Sequence, residues 1–232
     1  MDTGGVLTPV DLLLAAEHRG WQAKAPAPPR HSRVIEVCLS HREGRPIRIT
    51  MAMDRQFVVV SGLPASGKST LAQQLAPALG LLLLDKDTIL ERLFDSRGIG
   101  DVTQRRLLSR ESDLILRSEA TASGGAVLVS HWHLPGMPPN SGTPTNWLPE
   151  LSDKVVNVHC ECQIEIAAER FVRRTRHPGH LDREKSYVAI LDNIRSVARL
   201  GRLNIGPRVD VDTSQAPDLD AIARDVRSAF LL

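Results

Sequence analysis

The stretch FVVVSGLPASGKST, residues 57–70, decides the fold. It opens with an apolar run that is typical of a strand buried in a parallel sheet. The next residues, GLPASGKS at 62–69, match the pattern G-x-x-x-x-G-K-[ST], and a helical pattern follows at about 67–79. The glycines let the backbone turn so that N–H groups face an anion, and the helix N-terminus adds its dipole. Strand, loop and helix together predict a site for nucleotide phosphates.

The loop residues have separate expected roles. Lys68 is the candidate for neutralising the β- and γ-phosphates, and the Ser69 hydroxyl is the candidate ligand of Mg²⁺. We expect the nucleotide to contact nine consecutive residues: Gly62, Leu63, Pro64, Ala65, Ser66, Gly67, Lys68, Ser69 and Thr70.

Strands and helices alternate after this loop. Apolar runs predict strands at 81–84, 126–130, 154–160 and 208–213. Helical spacing predicts helices at 88–95, 103–122, 164–172, 187–198 and 219–230. This alternation predicts an α/β P-loop NTPase, with a parallel five-stranded sheet flanked by helices.

The chain before the loop predicts a small N-terminal appendage. A short helix is expected at 8–20, a Pro-rich connector at 24–32 and a hairpin of strands at 34–39 and 45–50. We therefore divide the chain into an appendage with linker, residues 1–53, and a P-loop kinase domain, residues 54–232. The sequence leaves open whether the chain starts instead at Met51 or Met53.

Four segments together resemble a known group. GLPASGKST at 62–70 is followed by D-K-D at 85–87, by an arginine-rich segment at 169–184 and by VDTS at 211–214. Over about residues 56–232 the chain resembles the P-loop small-molecule kinases of the zeta-toxin and chloramphenicol-phosphotransferase type, within the AAA-like P-loop NTPases. The resemblance implies ATP as donor, Mg²⁺ as cofactor and a hydroxyl group as acceptor. Whether ATP or GTP is preferred stays open.

The two acids of LLLLDKDTI, residues 81–89, follow an apolar run that belongs in a core. In an extended segment Asp85 and Asp87 share one face and Lys86 points away. Capping is the structural alternative, because Thr88 and Glu91 fit a capping box. By resemblance, Asp87 is the catalytic base or an acid that orients the acceptor. Asp85 is the candidate second ligand of Mg²⁺, or else anchors the turn.

The segment ERFVRRTRHPGHLDRE, residues 169–184, predicts a lid at about 173–183. Pro178 and Gly179 must break the helix, and arginines in such a lid stabilise charge on a transferring phosphoryl group. Arg170 and Arg174 are the candidates, as nucleotide-binding and catalytic residues, because they project from the ordered helix. The alternative is a solvated basic face.

Two further motifs carry weaker signals. The residues His131-Trp132-His133 follow the strand at 126–130, where they either face the acceptor or pack the loop. The pair Cys160 and Cys162 has C-x-C spacing and no second pair, which argues against a metal site.

Composition limits the partners. Aromatic residues are 3% of the chain and net charge is +2, which weighs against nucleic acid. Three cysteines, no basic leader and no apolar run near the roughly 20 residues of a membrane span predict a cytoplasmic protein without a membrane segment. Oligomeric state is not predicted.

The sequence thus favours an ATP-dependent kinase acting on a small-molecule hydroxyl, such as that of an antibiotic, nucleoside, sugar or nucleotide-sugar. Two alternatives stay open: a polynucleotide 5′-hydroxyl kinase, and a nucleotide-dependent ATPase or switch without a small-molecule acceptor.

Overall fold

The polypeptide divides into two units, one up to Met53 and one from Asp54. The structure is a computed structural model that describes residues 33–40, 46–182 and 186–232, with side chains from residue 54 onward. In the first unit, β1 (Arg33–Ser40) and β2 (Pro46–Met53) pair antiparallel. The predicted hairpin is therefore present, whereas the predicted helix at 8–20, the connector at 24–32 and Arg183 lie outside the described residues.

The second unit is built on five parallel strands, in the spatial order β4-β5-β3-β6-β7. The strands are β3 (Gln56–Gly62), β4 (Leu82–Asp85), β5 (Gly125–Val129), β6 (Lys154–Glu161) and β7 (Arg208–Asp212). The helices are α1 (Lys68–Leu79), α2 (Lys86–Arg97), α3 (Val102–Ala122), α4 (Ile164–Arg173), α5 (Tyr187–Arg199) and α6 (Leu219–Ala229). The predicted parallel five-stranded sheet flanked by helices is confirmed.

Helices cover both faces of this sheet because the side chains of β3 alternate between them. Val58 and Val60 pack with residues of α1 and α6. Phe57 and Val59 pack on the opposite face with α3 and with the loop that follows β5. Both faces of the sheet are covered, which explains why β3 is a continuous apolar run and does not alternate between apolar and polar residues.

The carboxyl ends of the strands lie along one edge of the sheet, where ligands gather in open α/β folds. The P-loop leaves β3 at this edge, and Asp85 ends β4 beside it. Among the described residues, no helix is both long and apolar enough to cross a membrane.

Candidate active site

The loop between β3 and α1 turns through two glycines that other residues cannot replace without strain. Gly62 has φ 137° and Gly67 has φ 95°. A Cβ on Gly62 would lie 2.5 Å from the Cys160 carbonyl oxygen. No side chain caps the N-terminus of α1, so its first N–H groups stay available to a ligand.

Lys68 lies over this loop. Its Nζ donates to the carbonyl oxygens of Gly62, at 3.1 Å, and Leu63, at 2.7 Å. Burial lowers the pKa of Lys68, while the carboxylates of Asp87 and Asp85 partly oppose that shift. The Ser66 hydroxyl is buried and has no hydrogen-bond partner among the described residues. The lysine, the unpaired Ser66 hydroxyl described above and the uncapped N-terminus of α1 are features that fit a bound phosphate.

Asp85 caps α2, which corrects the capping prediction. Its Oδ1 accepts from the Asp87 N–H at 2.9 Å, and α2 therefore begins at Lys86 instead of Thr88. The Thr88–Glu91 capping box is wrong, and Glu91 pairs with the lid instead. Burial raises the pKa of Asp85, whereas the hydrogen bond from Ser69 lowers it.

Asp85 also reaches the P-loop. Its Oδ2 accepts from the Ser69 Oγ at 2.6 Å, so the two predicted metal ligands lie side by side. No three His, Cys, Asp or Glu side chains elsewhere in the described residues come together as a metal site. One hydroxyl and one carboxylate suit Mg²⁺, which keeps several waters and takes further oxygens from phosphates. Ser69 and Asp85 are the residues that would hold it.

Asp87 lies in the first turn of α2 and not in an extended segment, so the expected strand geometry of the two acids is wrong. The side chain is 51% exposed and forms an ion pair with Arg176. Partial loss of solvent around the carboxyl raises its pKa, but the charges of Arg176 and other nearby cationic groups outweigh this and hold the pKa below its usual value. Asp87 is therefore ionised at neutral pH.

Lys86 is buried against α3. Its Nζ lies 2.6 Å from Asp113 Oδ1 of α3, and both side chains are largely buried. The Thr143 hydroxyl donates to the same carboxylate at 2.7 Å and is itself 2.5 Å from the Ser130 hydroxyl. This network ties the start of α2 to α3 and to the loop after β5. The sequence offered no signal for Asp113, because its partners are distant along the chain.

The lid segment packs on α2. The His177 ring stacks on Phe94 with centroids 5.3 Å apart, and its Nε2 lies 3.1 Å from Asp95. His180 pairs with Glu91 at 2.9 Å. Gly179 fits closely, since a Cβ there would lie 2.4 Å from the Phe94 ring. Both histidines thus bind neighbouring side chains of α2.

The lid arginines take three different positions. Arg170 donates to the carbonyl oxygens of Thr213, at 2.8 Å, and Ser214, at 3.1 Å. It therefore holds the loop after β7 beside Gly67. Arg174 stacks over the Phe171 ring at 4.0 Å, and its Nε is buried without a hydrogen-bond partner among the described residues. Burial lowers the pKa of Arg174 to about 10.

Arg176 is the arginine in contact with Asp87, and sequence reasoning did not single it out. It also donates to Asp182 Oδ2 at 2.8 Å, which fixes the guanidinium between the two carboxylates. Arg176 lies beyond the end of α4, where helical spacing gives no guide to direction.

The residues after β5 divide between core and cleft. The Trp132 Nε1 donates to the Val60 carbonyl at 2.8 Å, and the buried ring packs on Trp147. His131 is exposed to solvent, and neighbouring protein groups partly desolvate its ring. Burial, together with the charges of Lys68 and Lys86, lowers the His131 pKa to about 4. His131 is therefore neutral at neutral pH.

Comparisons with known proteins agree with this architecture. A family described as an AAA domain matches residues 57–130. A solved "putative kinase" from Chloroflexus aurantiacus is 28% identical, with a TM-score of 0.62, over 76% of this chain and 98% of its own. Shikimate kinase from Bacteroides thetaiotaomicron is 13% identical, with a TM-score of 0.52, over 76% of this chain and 99% of its own. No curated protein matches the chain in sequence.

The chain therefore has the fold of P-loop kinases, which confirms the broad part of the resemblance. The narrower likeness to the zeta-toxin and chloramphenicol-phosphotransferase type stays a prediction.

Proposed function

We propose that this protein is an ATP-dependent phosphotransferase that moves the γ-phosphate to a hydroxyl group of a small molecule. The observation that carries this proposal is that the ionised carboxylate Asp87 lies one hydrogen-bonded neighbour from the P-loop helix: Asp85 accepts both the Asp87 N–H and the Ser69 hydroxyl at the uncapped start of α1. A nucleotide switch needs the phosphate cradle alone. A kinase also needs a group that receives the proton of an acceptor hydroxyl.

The residues divide the work of the reaction. The P-loop N–H groups and Lys68 hold the triphosphate, and Ser69 with Asp85 would hold Mg²⁺, which neutralises charge on the phosphates when bound. Asp87 takes the proton as the acceptor oxygen bonds to the γ-phosphorus. The bond between that phosphorus and the β–γ bridging oxygen breaks, and ADP leaves.

The lid supplies cations near the transferred group. Among the described residues no group accepts from the buried Nε of Arg174, and the charge of this arginine acts on both Lys68 and Asp87. Arg176 orients Asp87 through their ion pair. Arg170 positions the loop after β7, whose Thr213 hydroxyl donates to the Ser66 carbonyl of the P-loop at 2.6 Å. This role of Arg170 agrees with its two hydrogen bonds to backbone carbonyls.

ADP release with and without acceptors tests the proposal. The full chain is incubated with ATP and Mg²⁺ alone, with pooled hydroxyl compounds and with 5′-hydroxyl oligonucleotides. We expect slow release alone and faster release with members of the small-molecule pool. Release that only oligonucleotides accelerate would identify a polynucleotide kinase. Steady hydrolysis that no acceptor changes would identify a switch or ATPase.

A further inference from the structure

A cavity of about 570 Å³ opens beside the P-loop, between the ends of β3, β5 and β6 and the C-terminal end of α5. We call it the α5 cavity. Such a volume suits a small molecule. Trp132, Leu134 and Leu203 line it and belong to the core face opposite α1. The cavity therefore lies across the sheet from the helix whose N-terminus faces the phosphates.

The α5 cavity adjoins the groups proposed for chemistry. Gly62 and Leu63 line it, and Lys68 Nζ donates to the carbonyls of both. His131 lines it as well, and the charges of Lys68 and Asp87 both act on that imidazole. A molecule in the cavity thus contacts the same P-loop residues, Gly62 and Leu63, whose carbonyl oxygens accept from Lys68.

Hydrogen-bond directions are fixed on the wall of the cavity that Ser61 and His159 form. Asn157 Nδ2 donates to the Leu203 carbonyl at 2.8 Å, so its Oδ1 faces Ser61 and accepts the Ser61 hydroxyl proton at 2.7 Å. Ser61 Oγ has a single proton. The contact of 2.9 Å between Ser61 Oγ and His159 Nδ1 must therefore use a proton on Nδ1. In neutral His159 this leaves Nε2 as a hydrogen-bond acceptor, which calls for a donor on the ligand.

Charge on the lining favours the same kind of ligand. The charged side chains among the described lining residues are Glu161, Arg202 and Asp212. Arg202 is paired with Glu161 and lies 3.6 Å from Asp210, so it is not free to hold a second anion. The carboxylate of Asp212 accepts the backbone N–H of Ser214 at 2.8 Å, and hydrogen bonds from Ser214 together with the charge of Arg170 hold its pKa below the usual value. The described charged side chains that line the cavity are therefore two carboxylates and one guanidinium, which gives the lining a net negative charge.

We propose that the α5 cavity is the acceptor site and that the acceptor is an uncharged or cationic hydroxyl compound with an apolar body. The proposal rests on the phosphotransferase proposed above and specifies its substrate class. Leu63, Trp132 and Val197 line the cavity and would contact the apolar body. His159, Glu161 and Asp212 would accept from its hydroxyl or ammonium groups. Sugar acids and sugar phosphates would meet carboxylates that repel them.

Three probes with one benzyl alcohol scaffold test the charge preference: p-(hydroxymethyl)benzamide, p-(aminomethyl)benzyl alcohol and p-(hydroxymethyl)benzoic acid. Binding is read from Cys162, a half-buried free thiol that lines the cavity. The full chain carries Cys38→Ser, and buried Cys160, whose pKa is raised to about 12, reacts little. An occupied cavity slows the reaction of Cys162 with a maleimide.

We expect the amide and the amine to protect Cys162, each with a Kd at least about tenfold below that of the carboxylate. In the presence of ATP and Mg²⁺, phosphorus NMR should show transfer to the amide or the amine. Strongest protection by the carboxylate, or no protection by any probe, would overturn the proposal. Displacement of the probes by a nonhydrolysable ATP analogue would also overturn it, because the cavity would then be a base site.

Two variants with matched controls locate the site. Ala198→Trp fills the cavity and should abolish protection, whereas Val188→Trp, at an exposed position of the same helix, should not change it.

Glu161→Gln frees Arg202 and should shift preference toward the carboxylate probe by about tenfold. Glu165→Gln, at an exposed position of α4, should leave preference unchanged. Equal effects of Ala198→Trp and Val188→Trp would contradict the assignment.

The two proposals fail separately. If probes protect Cys162 in the expected order but no ATP analogue binds, the phosphotransferase is wrong, and with it the acceptor role of the cavity. If ATP supports transfer to other compounds while these probes bind elsewhere, only the α5 cavity assignment is wrong.

Discussion

The N-termini of α1 and α2 lie at the same edge of the sheet, but only that of α2 is capped by a side chain. α1 begins after Gly67, which has a left-handed backbone and offers no side chain to the first turn. α2 begins after Asp85, whose carboxylate accepts the Asp87 N–H. An uncapped helix end attracts an external anion, whereas a capped one is satisfied by the protein itself. The difference supports the proposal that the nucleotide binds at α1 while α2 presents Asp87.

The two helix ends are also linked. The Ser69 hydroxyl of α1 donates to the other oxygen of the Asp85 carboxylate. One side chain therefore caps α2 and completes the pair of oxygens proposed for Mg²⁺. Each of the following substitutions affects one end of this arrangement.

The largest effect should come from Lys68→Ala, at the uncapped N-terminus of α1. Loss of the cation over the P-loop should lower ATP-dependent transfer by about 10³-fold or more. ADP release and titration with an ATP analogue measure the loss. Lys154→Ala, at the opposite end of the sheet, is the control and should retain activity. Full activity of Lys68→Ala would refute the nucleotide site itself.

Asp87→Asn should have the next largest effect, because it keeps shape and removes the proposed base. Transfer should fall by about 10²-fold while affinity for an ATP analogue changes little. Asp220→Asn makes the same change in the first turn of α6 and should be silent. Equal loss of nucleotide affinity and turnover would show that Asp87 acts on ATP and not on the acceptor.

Asp113→Asn tests what holds the N-terminus of α2, the helix end that Asp85 caps. Removing this charge leaves buried Lys86 without its ion pair, which should lower the free energy of unfolding by about 2 kcal/mol. Urea denaturation measures the change. Glu119→Gln, on the same helix, is the control and should be within experimental error. Unchanged stability would mean that Lys86 finds another partner, and that the network does not hold α2.

The smallest effect separates the two roles of Asp85. Asp85→Asn keeps a good capping side chain and loses the charge, whereas Asp85→Ala loses both. We expect only Asp85→Ala to lower stability, by about 1 kcal/mol. Both variants should need more Mg²⁺ for half-maximal transfer. If neither changes the Mg²⁺ requirement, Asp85 is a cap alone.

The sequence predicted the strand, loop and helix around the P-loop well and the lid contacts poorly, for a physical reason. Residues 57–70 form one strand, one loop and one helix start, so their backbone geometry follows from the local sequence. The partner of Asp87 is Arg176, 89 positions away along the chain. That contact depends on how the lid turn at Pro178–His180 packs against Phe94. Local spacing carries no information about it.

The acids of the D-K-D segment show the same division. The sequence alone determined that acids follow a buried strand beside the P-loop, because apolar runs and glycine turns act locally. The tertiary structure decided that Asp85 is the cap, that Lys86 is buried against Asp113, and that Asp87 lies on a helix beside Arg176. It also decided which polar groups face the α5 cavity. These outcomes depend on packing between elements that meet only in the folded chain, where burial and distant charges set direction and ionisation.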